Sequence, residues 1–419
     1  MPSKHSPLVN VMISNCSIND SEKYDIWGRG KFAYDNTSDI SHIDSVTINN
    51  CRFRGCNGEN SASAIYLDVC KNIRINNNVA EDSVRFTWLS SCLNAVIEGN
   101  IGTTITYEGV FMSKTTIVDE DAKPNNRNIK INNNMFKDGG RNGIYAQFVN
   151  DCIITNNTVE NFAQDDDTER NGILIPNTSV DVLVSNNIVR GDSHKYDISI
   201  NALDNNIKAR DNNVDSILYN SYDVLFIGDS ITYGSGASDR LKTNYPSKIS
   251  KNHDIGHMNI GVAGMRFYHP TESAKDIMTK IKTVTYLDKV KSISIFLGTN
   301  DWANNTAMGE NVEDTTITTV FGAFNGLIAY IRSVNPVANI TVFSPIYRSD
   351  KVESGGVTLE QFCNLLEECA RYNNIKFVDM YHSSGISPYN AQVLLDDGLH
   401  PNDLGYEVLA NRIYNELIR

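Results

Sequence analysis

No stretch of about 18 consecutive apolar residues occurs in this chain, so nothing in it reads as a membrane-spanning helix and no membrane insertion is expected. Positive charge is in deficit: 37 Lys and Arg stand against 50 Asp and Glu, a formal net charge of -13. A nucleic acid partner is not expected, because phosphate contacts need a basic face. Closely paired cysteines are missing too. The eight Cys, at positions 16, 51, 56, 70, 92, 152, 363 and 369, form no C-x-x-C pair, which argues against a zinc ribbon. Several lie in apolar runs, as in Asp151-Cys152-Ile153-Ile154, and read as buried free thiols. The first thirty residues show no basic stretch followed by an apolar one, so no secretory leader is read there. No His-Glu-x-x-His or similar grouping occurs, and neither a metal nor any other cofactor is expected. The run Asp165-Asp166-Asp167 with Glu169 reads as a solvated acidic loop before it reads as a calcium site.

What is present divides in two. With 419 residues, 41% hydrophobic and 21% charged, the chain is long enough for two or three folded domains. Its texture changes near residue 218, giving expected domains of 1–218 and 219–419. The first half repeats. Short β-type runs end in Asn-rich turns: Val46-Thr47-Ile48-Asn49-Asn50, Ile73-Arg74-Ile75-Asn76-Asn77, Ile129-Lys130-Ile131-Asn132-Asn133, Ile153-Ile154-Thr155-Asn156-Asn157 and Val182-Leu183-Val184-Ser185-Asn186. Ile13-Ser14-Asn15 and Val96-Ile97-Glu98 are weaker copies. A second element recurs in phase, in Asn142-Gly143-Ile144 and Asn171-Gly172-Ile173. The spacing of roughly 22 to 35 residues predicts a right-handed parallel β-helix whose coils share a core. A β-sandwich or propeller with Asn-rich turns is the alternative. Asn at the corners tolerates left-handed backbone angles, and Cys16 and Cys51, each one residue past such an Asn, should occupy equivalent places. The first copy starts near Val11 without a visible cap, so preceding chain or a partner is expected to cover that end.

The second half alternates strands and helices. Val224–Ile227, Met258–Ile260, Ser292–Leu297, Ile340–Phe343 and Ile375–Val378 read as strands. Ile317, Val320, Phe321, Phe324, Leu327, Ile328 and Ile331 form a helical stripe stopped by Pro336, and Thr358 with Gln361 is a capping box. Leu404, Val408, Leu409, Ile413 and Leu417 mark a final helix. This order predicts a doubly wound α/β/α domain with its site beyond the carboxyl ends of the strands.

Four clusters fall at such ends or in the last loop: Gly228-Asp229-Ser230, Asn259-Ile260-Gly261-Val262-Ala263-Gly264, Gly298-Thr299-Asn300-Asp301 and Asp397-Gly398-Leu399-His400. Each alone reads equally well as a cap, a tight turn or a solvated loop. The Asp-x-x-His spacing also recurs at Asp39/His42, Asp254/His257 and Asp379/His382. His400 is set apart by its loop just before the final helix. In this order the clusters resemble the blocks of the SGNH (GDSL-like) hydrolases, over about residues 222 to 419. The resemblance implies a serine esterase with Ser230 as nucleophile, His400 as general base and Asp397 orienting it. It further implies an oxyanion hole of the Ser230 and Gly264 backbone N–H groups and the Asn300 amide. Asp396 is read as solvated. Residues flanking the blocks, Thr232, Tyr233, Met265, Arg266 and Trp302, are candidates for the substrate pocket, with ordinary core packing or surface pairing as the competing reading.

A β-helix joined to such an esterase resembles bacteriophage tailspike and receptor-binding proteins and certain secreted polysaccharide-modifying proteins. The resemblance implies de-O-acetylation of a bacterial surface or capsular polysaccharide, a homotrimer, and a virion location, with secretion as the alternative. Two rival functions remain open: a glycosidase or lyase acting from the β-helix through carboxylates such as Asp165, Asp166 and Glu169, or a non-catalytic glycan-binding adhesin.

Overall fold

The computed structural model describes residues 8–32, 40–41, 43–58, 61–114, 125–164, 170–191, 193, 195–201, 206–215, 217–220, 223–253, 255–350 and 356–418. The acidic run at 165–169 and the pairs at Asp39/His42 and Asp254 lie wholly or partly outside them. The chain separates into two units, Met1–Tyr219 and Asn220–Arg419.

In the first unit the chain passes in turn through three parallel sheets of eight, seven and eight strands. Within each sheet, neighbouring strands come from successive passes. The Asn-terminated runs all belong to the first sheet, as Val9–Ser14, Ile43–Asn49, Cys70–Asn76, Leu93–Glu98, Asn126–Asn132, Val149–Thr155 and Val180–Ser185, followed by Lys208–Arg210. Ile144 and Ile173, from the second recurring element, pair in the third sheet. Alternation sends every second side chain inward. Val46, Ile73, Ala95, Ile129, Cys152 and Val182 stack in one buried column, and Ile48, Ile75, Ile97, Ile131, Ile154 and Val184 in another. Cys152 thus fills an aliphatic place. All eight cysteines are free thiols, and only Cys16 is exposed.

The corner between the first and second sheets is two residues long in every pass. Its first residue is left-handed each time: Asn15, Asn50, Asn77, Gly99, Asn133, Asn156, Asn186 and Asp211, with φ between 54° and 66°. Its second residue is Cys16, then Cys51, then Asn78, Asn100, Asn134, Asn157, Asn187 and Asn212. These asparagines form an interior ladder. Asn157 Oδ1 accepts from the backbone and side-chain N–H groups of Asn134 at 3.0 and 2.9 Å, and Asn157 Nδ2 donates to Asn187 Oδ1 and to the Ile131 carbonyl at 3.0 Å. The ladder satisfies corner backbone groups that no strand partner reaches.

The second unit is a five-stranded parallel sheet in the order His257–Asn259, Val224–Gly228, Ser292–Phe296, Asn339–Phe343, Lys376–Val378. Both faces are covered, and the inner strands are mostly apolar, with Val224–Gly228 buried along its whole length. Leu225, Ile227, Ile293, Ile295, Ile340 and Val342 pack with helices Val320–Val334 and Leu359–Tyr372. Val224, Phe226, Phe296 and Phe343 pack on the opposite side with Tyr245, Ile249, Tyr406, Leu409 and Ile413. The Thr358–Gln361 capping box is formed in both directions. Two stripe residues depart from expectation. Ile317 is exposed because the helix starts later, where the Thr319 hydroxyl caps the Gly322 N–H at 3.1 Å. Leu404, in the first turn of helix Asp403–Ile418, is also exposed.

Candidate active site

The chain runs from the Val224–Gly228 strand to the edge strand on one side, then back past it to Ser292–Phe296 on the other. The reversal opens a crevice beyond the carboxyl ends of the strands. Three of the four clusters follow these three strands into it.

Asp229 caps a one-turn helix, Ser230–Tyr233, by accepting the Ile231 N–H at 3.0 Å. The cap is therefore Asp229, and Ser230 takes the first helical position with its hydroxyl available. Gly228 admits no side chain, since a Cβ there would lie 2.1 Å from Thr232 Oγ1 and 2.4 Å from the Phe296 carbonyl. Tyr406, on the final helix, donates to the Ser235 and Ile231 carbonyls at 2.7 and 3.1 Å and holds this turn in place.

His400 Nε2 lies 2.8 Å from Ser230 Oγ, and His400 Nδ1 lies 2.7 Å from Asp397 Oδ2. The other Asp397 oxygen accepts the backbone N–H groups of Leu399 and His400 at 3.0 and 2.8 Å. Partial burial opposes ionisation of Asp397, but the N–H groups and imidazole of His400 outweigh it, with help from Leu399, and hold its carboxyl at about 2. A carboxylate at Nδ1 fixes the tautomer that leaves Nε2 to accept the serine proton. The loop is pinned from outside. Gly398, at φ 87°, turns its carbonyl to the backbone N–H groups of Ser349 and Asp350 at 2.7 and 3.3 Å. Arg348, beside them, pairs with Asp350, donates to Thr299 Oγ1 at 3.0 Å and lies over the Trp302 ring at 5.3 Å. Arg348 thus links the third cluster to the His400 loop. Sequence reasoning missed it, because it follows a strand end with no motif around it.

The second and third clusters reach the first through hydrogen bonds. The Val262 N–H donates to the Gly228 carbonyl at 3.0 Å, and Asn259 Nδ2 to the Thr232 carbonyl at 2.8 Å. Asn300 Nδ2 donates to the Met265 carbonyl at 3.2 Å, leaving its second amide hydrogen for another acceptor. The backbone N–H groups of Ser230 and Gly264 have no acceptor among the described residues.

Burial raises two carboxyls near this rim: Asp229 to about 6, against its bond from Ile231 and the charges of His400 and Arg348, and Asp301 to about 7, against the Phe267 and Tyr268 N–H groups. Neither was assigned a role from sequence.

The pocket candidates fare differently. Thr232 and Met265 are completely buried, Thr232 bonding the Tyr245 hydroxyl at 2.9 Å, so neither can line an open pocket. Trp302 is 9% exposed and gives its indole N–H to the Val357 carbonyl at 2.8 Å. It belongs to the core. Tyr233 is half-buried, with the Arg240 guanidinium 4.1 Å over its ring. Arg266 is half-buried, and its charge acts on Asp301. Asp396 is exposed. Asp379 and His382 also pair, at 2.6 Å, but the far His382 nitrogen meets Glu360 at 3.2 Å and no hydroxyl. His257 is buried in its strand, which lowers it to about 4.

A doubly wound parallel sheet with a bonded Ser–His–Asp set at its carboxyl rim has the architecture of a serine hydrolase. Residues 226–408 match the GDSL-like Lipase/Acylhydrolase family. The second unit therefore carries a GDSL-like acylhydrolase domain, a carboxylic ester hydrolase. Solved structures similar to this chain include a Lactobacillus plantarum protein (20% identity over 47% of this chain and 96% of that one, TM-score 0.42). A possible lipase from Chitinophaga pinensis is 25% identical over 46% and 96%, at TM-score 0.37. An acetylxylan esterase from Geobacillus stearothermophilus is 20% identical over 48% and 95%, at TM-score 0.35. No curated protein matches the chain.

Proposed function

We propose that this protein is a serine esterase that removes O-acetyl groups from a bacterial surface or capsular polysaccharide, working as a homotrimeric phage tailspike. The observation that carries the esterase chemistry is the 2.8 Å approach of His400 Nε2 to Ser230 Oγ, with Asp397 at the far nitrogen. Ser230 Oγ attacks the ester carbonyl carbon as Nε2 takes its proton. The oxyanion is received by the Ser230 and Gly264 N–H groups and the free Asn300 amide hydrogen. The intermediate collapses as His400 returns the proton to the departing sugar oxygen. Water, activated by the same imidazole, then releases acetate from the acyl-serine.

The polysaccharide reading is supported by the three parallel sheets of the first unit. We take them as a right-handed parallel β-helix, since parallel crossovers are right-handed almost without exception. Such a coil presents long outer faces suited to an extended chain, and the tailspike assignment follows by analogy of architecture.

The test is acetate release from purified O-acetylated capsular polysaccharide by the full chain and by Ser230→Ala. Release by the former and not the latter is expected. Equal release by both would sink the assignment, and shortened glycan chains without acetate would point to a depolymerase instead.

A further inference from the structure

The three corners of the first unit are unequal. The first-to-second corner never varies from two residues, but both corners flanking the third sheet vary widely. After the third sheet the connection ranges from Val69 alone, between Asp68 and Cys70, to everything between Arg29 and Ile43. Before it, the range runs from Val84–Phe86 to everything between Glu160 and Asn171. In coiled repeats, insertions gather around the working face.

The outer face of that third sheet carries a row of aromatic rings in register. Trp27 pairs with Tyr66, Tyr66 with Trp88, Trp88 with Phe111 and Phe111 with Tyr145. Their neighbours on either side along the strands, such as Ile65 and Leu67, point inward and are buried. The ring centroids follow one another at 4.6, 5.3 and 5.5 Å from Tyr66 to Tyr145. Trp27, in the edge strand, is 56% exposed, Trp88, Phe111 and Tyr145 are half-buried, and Tyr66 is buried.

An arginine–carboxylate pair stands on each side of the row. Arg29 and Asp68 meet at 3.0 Å two residues beyond Trp27 and Tyr66, with Arg29 5.2 Å over the Trp27 ring. Arg85 and Glu108 meet at 2.6 Å three residues before Trp88 and Phe111, with Arg85 5.1 and 5.0 Å over those rings. Each of these two arginines is matched by a carboxylate, so the rails do not make the anion-seeking surface a nucleic acid needs. Asp68, Arg85 and Glu108 are buried, so the pairs brace the rings from the sides, and Arg29 alone of the four is partly exposed beside Trp27. A sugar ring is complementary to a braced row of this kind: its C–H face packs on aromatic surface, and its rim of hydroxyls can accept from Arg29.

We propose that the outer face of the third sheet is the polysaccharide-binding surface, with the glycan lying along the Trp27–Tyr145 row. The inference rests on the polysaccharide reading above and adds where the glycan is held. The probe is an array of purified bacterial capsular polysaccharides, native and de-O-acetylated, read with the full chain carrying Ser230→Ala so that nothing is turned over. Trp27→Ala and Phe111→Ala are made in the same background, Trp27 being exposed enough to replace without touching the core. Retention of at least one glycan, weakened at least tenfold by either substitution, is the expected result. In the Ser230 background the same variants should hydrolyse nitrophenyl acetate at the unaltered rate. The proposal is overturned if no glycan is retained, if both variants bind as before, or if Trp27→Ala lowers the sedimentation mass while glycan binding holds, which would make the face a contact between copies. Loss of acetate release with the binding result intact would instead remove the esterase reading and leave this one standing.

Discussion

Asn300 and Asp301 are adjacent in the chain, yet one offers an amide hydrogen at the rim and the other is enclosed. If Asn300 stabilises the oxyanion, Asn300→Ala should lower kcat by about 100- to 1,000-fold with little change in KM. Thermal unfolding should stay unaltered, and an active variant would remove Asn300 from the mechanism. Asp301 has the opposite signature. Its folded value of about 7 lies above the ordinary carboxylate range near 4, so the folded state holds the proton more tightly. The stability this contributes is complete below about pH 4 and is lost as pH rises through about 7. Asp229, raised to about 6, acts in the same direction. Asp301→Asn keeps an acceptor for the Phe267 N–H, which Asp301 receives at 3.1 Å. Its melting temperature should therefore gain on the wild type as pH climbs from 4 to 7. A difference constant across that range would contradict this account.

At the scale of elements, the Asn-terminated strands were legible because sequence period and corner chemistry coincide: the same corner of every pass takes a left-handed residue, and Asn supplies it in all but Gly99 and Asp211. The second sheet was not legible. Four of its seven strands, such as Arg52–Arg54 and Thr158–Glu160, are three residues long, too short to show a period. Three of the hydrolase clusters were legible because each sits at a strand end, where backbone geometry restricts the residue type, and the fourth because its Asp-x-x-His falls in the loop just before the final helix. Arg348 and the buried state of Thr232 and Met265 were not, because they depend on which surfaces meet across the fold. The asparagine ladder permits a sharp test. Asn157→Ala would strand the Asn134 backbone N–H and one hydrogen of its side-chain amide in the interior, the other keeping the Ile97 carbonyl. At about 1–3 kcal/mol for each buried group left unpaired, urea unfolding of the first unit should show a loss of at least 2 kcal/mol or so. A loss of a few tenths would mean that the ladder is decorative.

At the scale of the molecule, each unit has its own core and its own chemistry: apolar columns and an asparagine ladder in one, a covered parallel sheet in the other. If the tailspike reading holds, light scattering should give a mass three times the 46.7 kDa of one chain. A single-chain mass at micromolar concentration would remove the homotrimer from the proposal. The invariant two-residue corner has a consequence for how such a repeat can change. Since every pass makes the same bend, duplicating or deleting one complete pass leaves its neighbours in step, and the three sheets gain or lose strands together. Losing one corner residue would instead turn the side chains of the strand that follows it inside out.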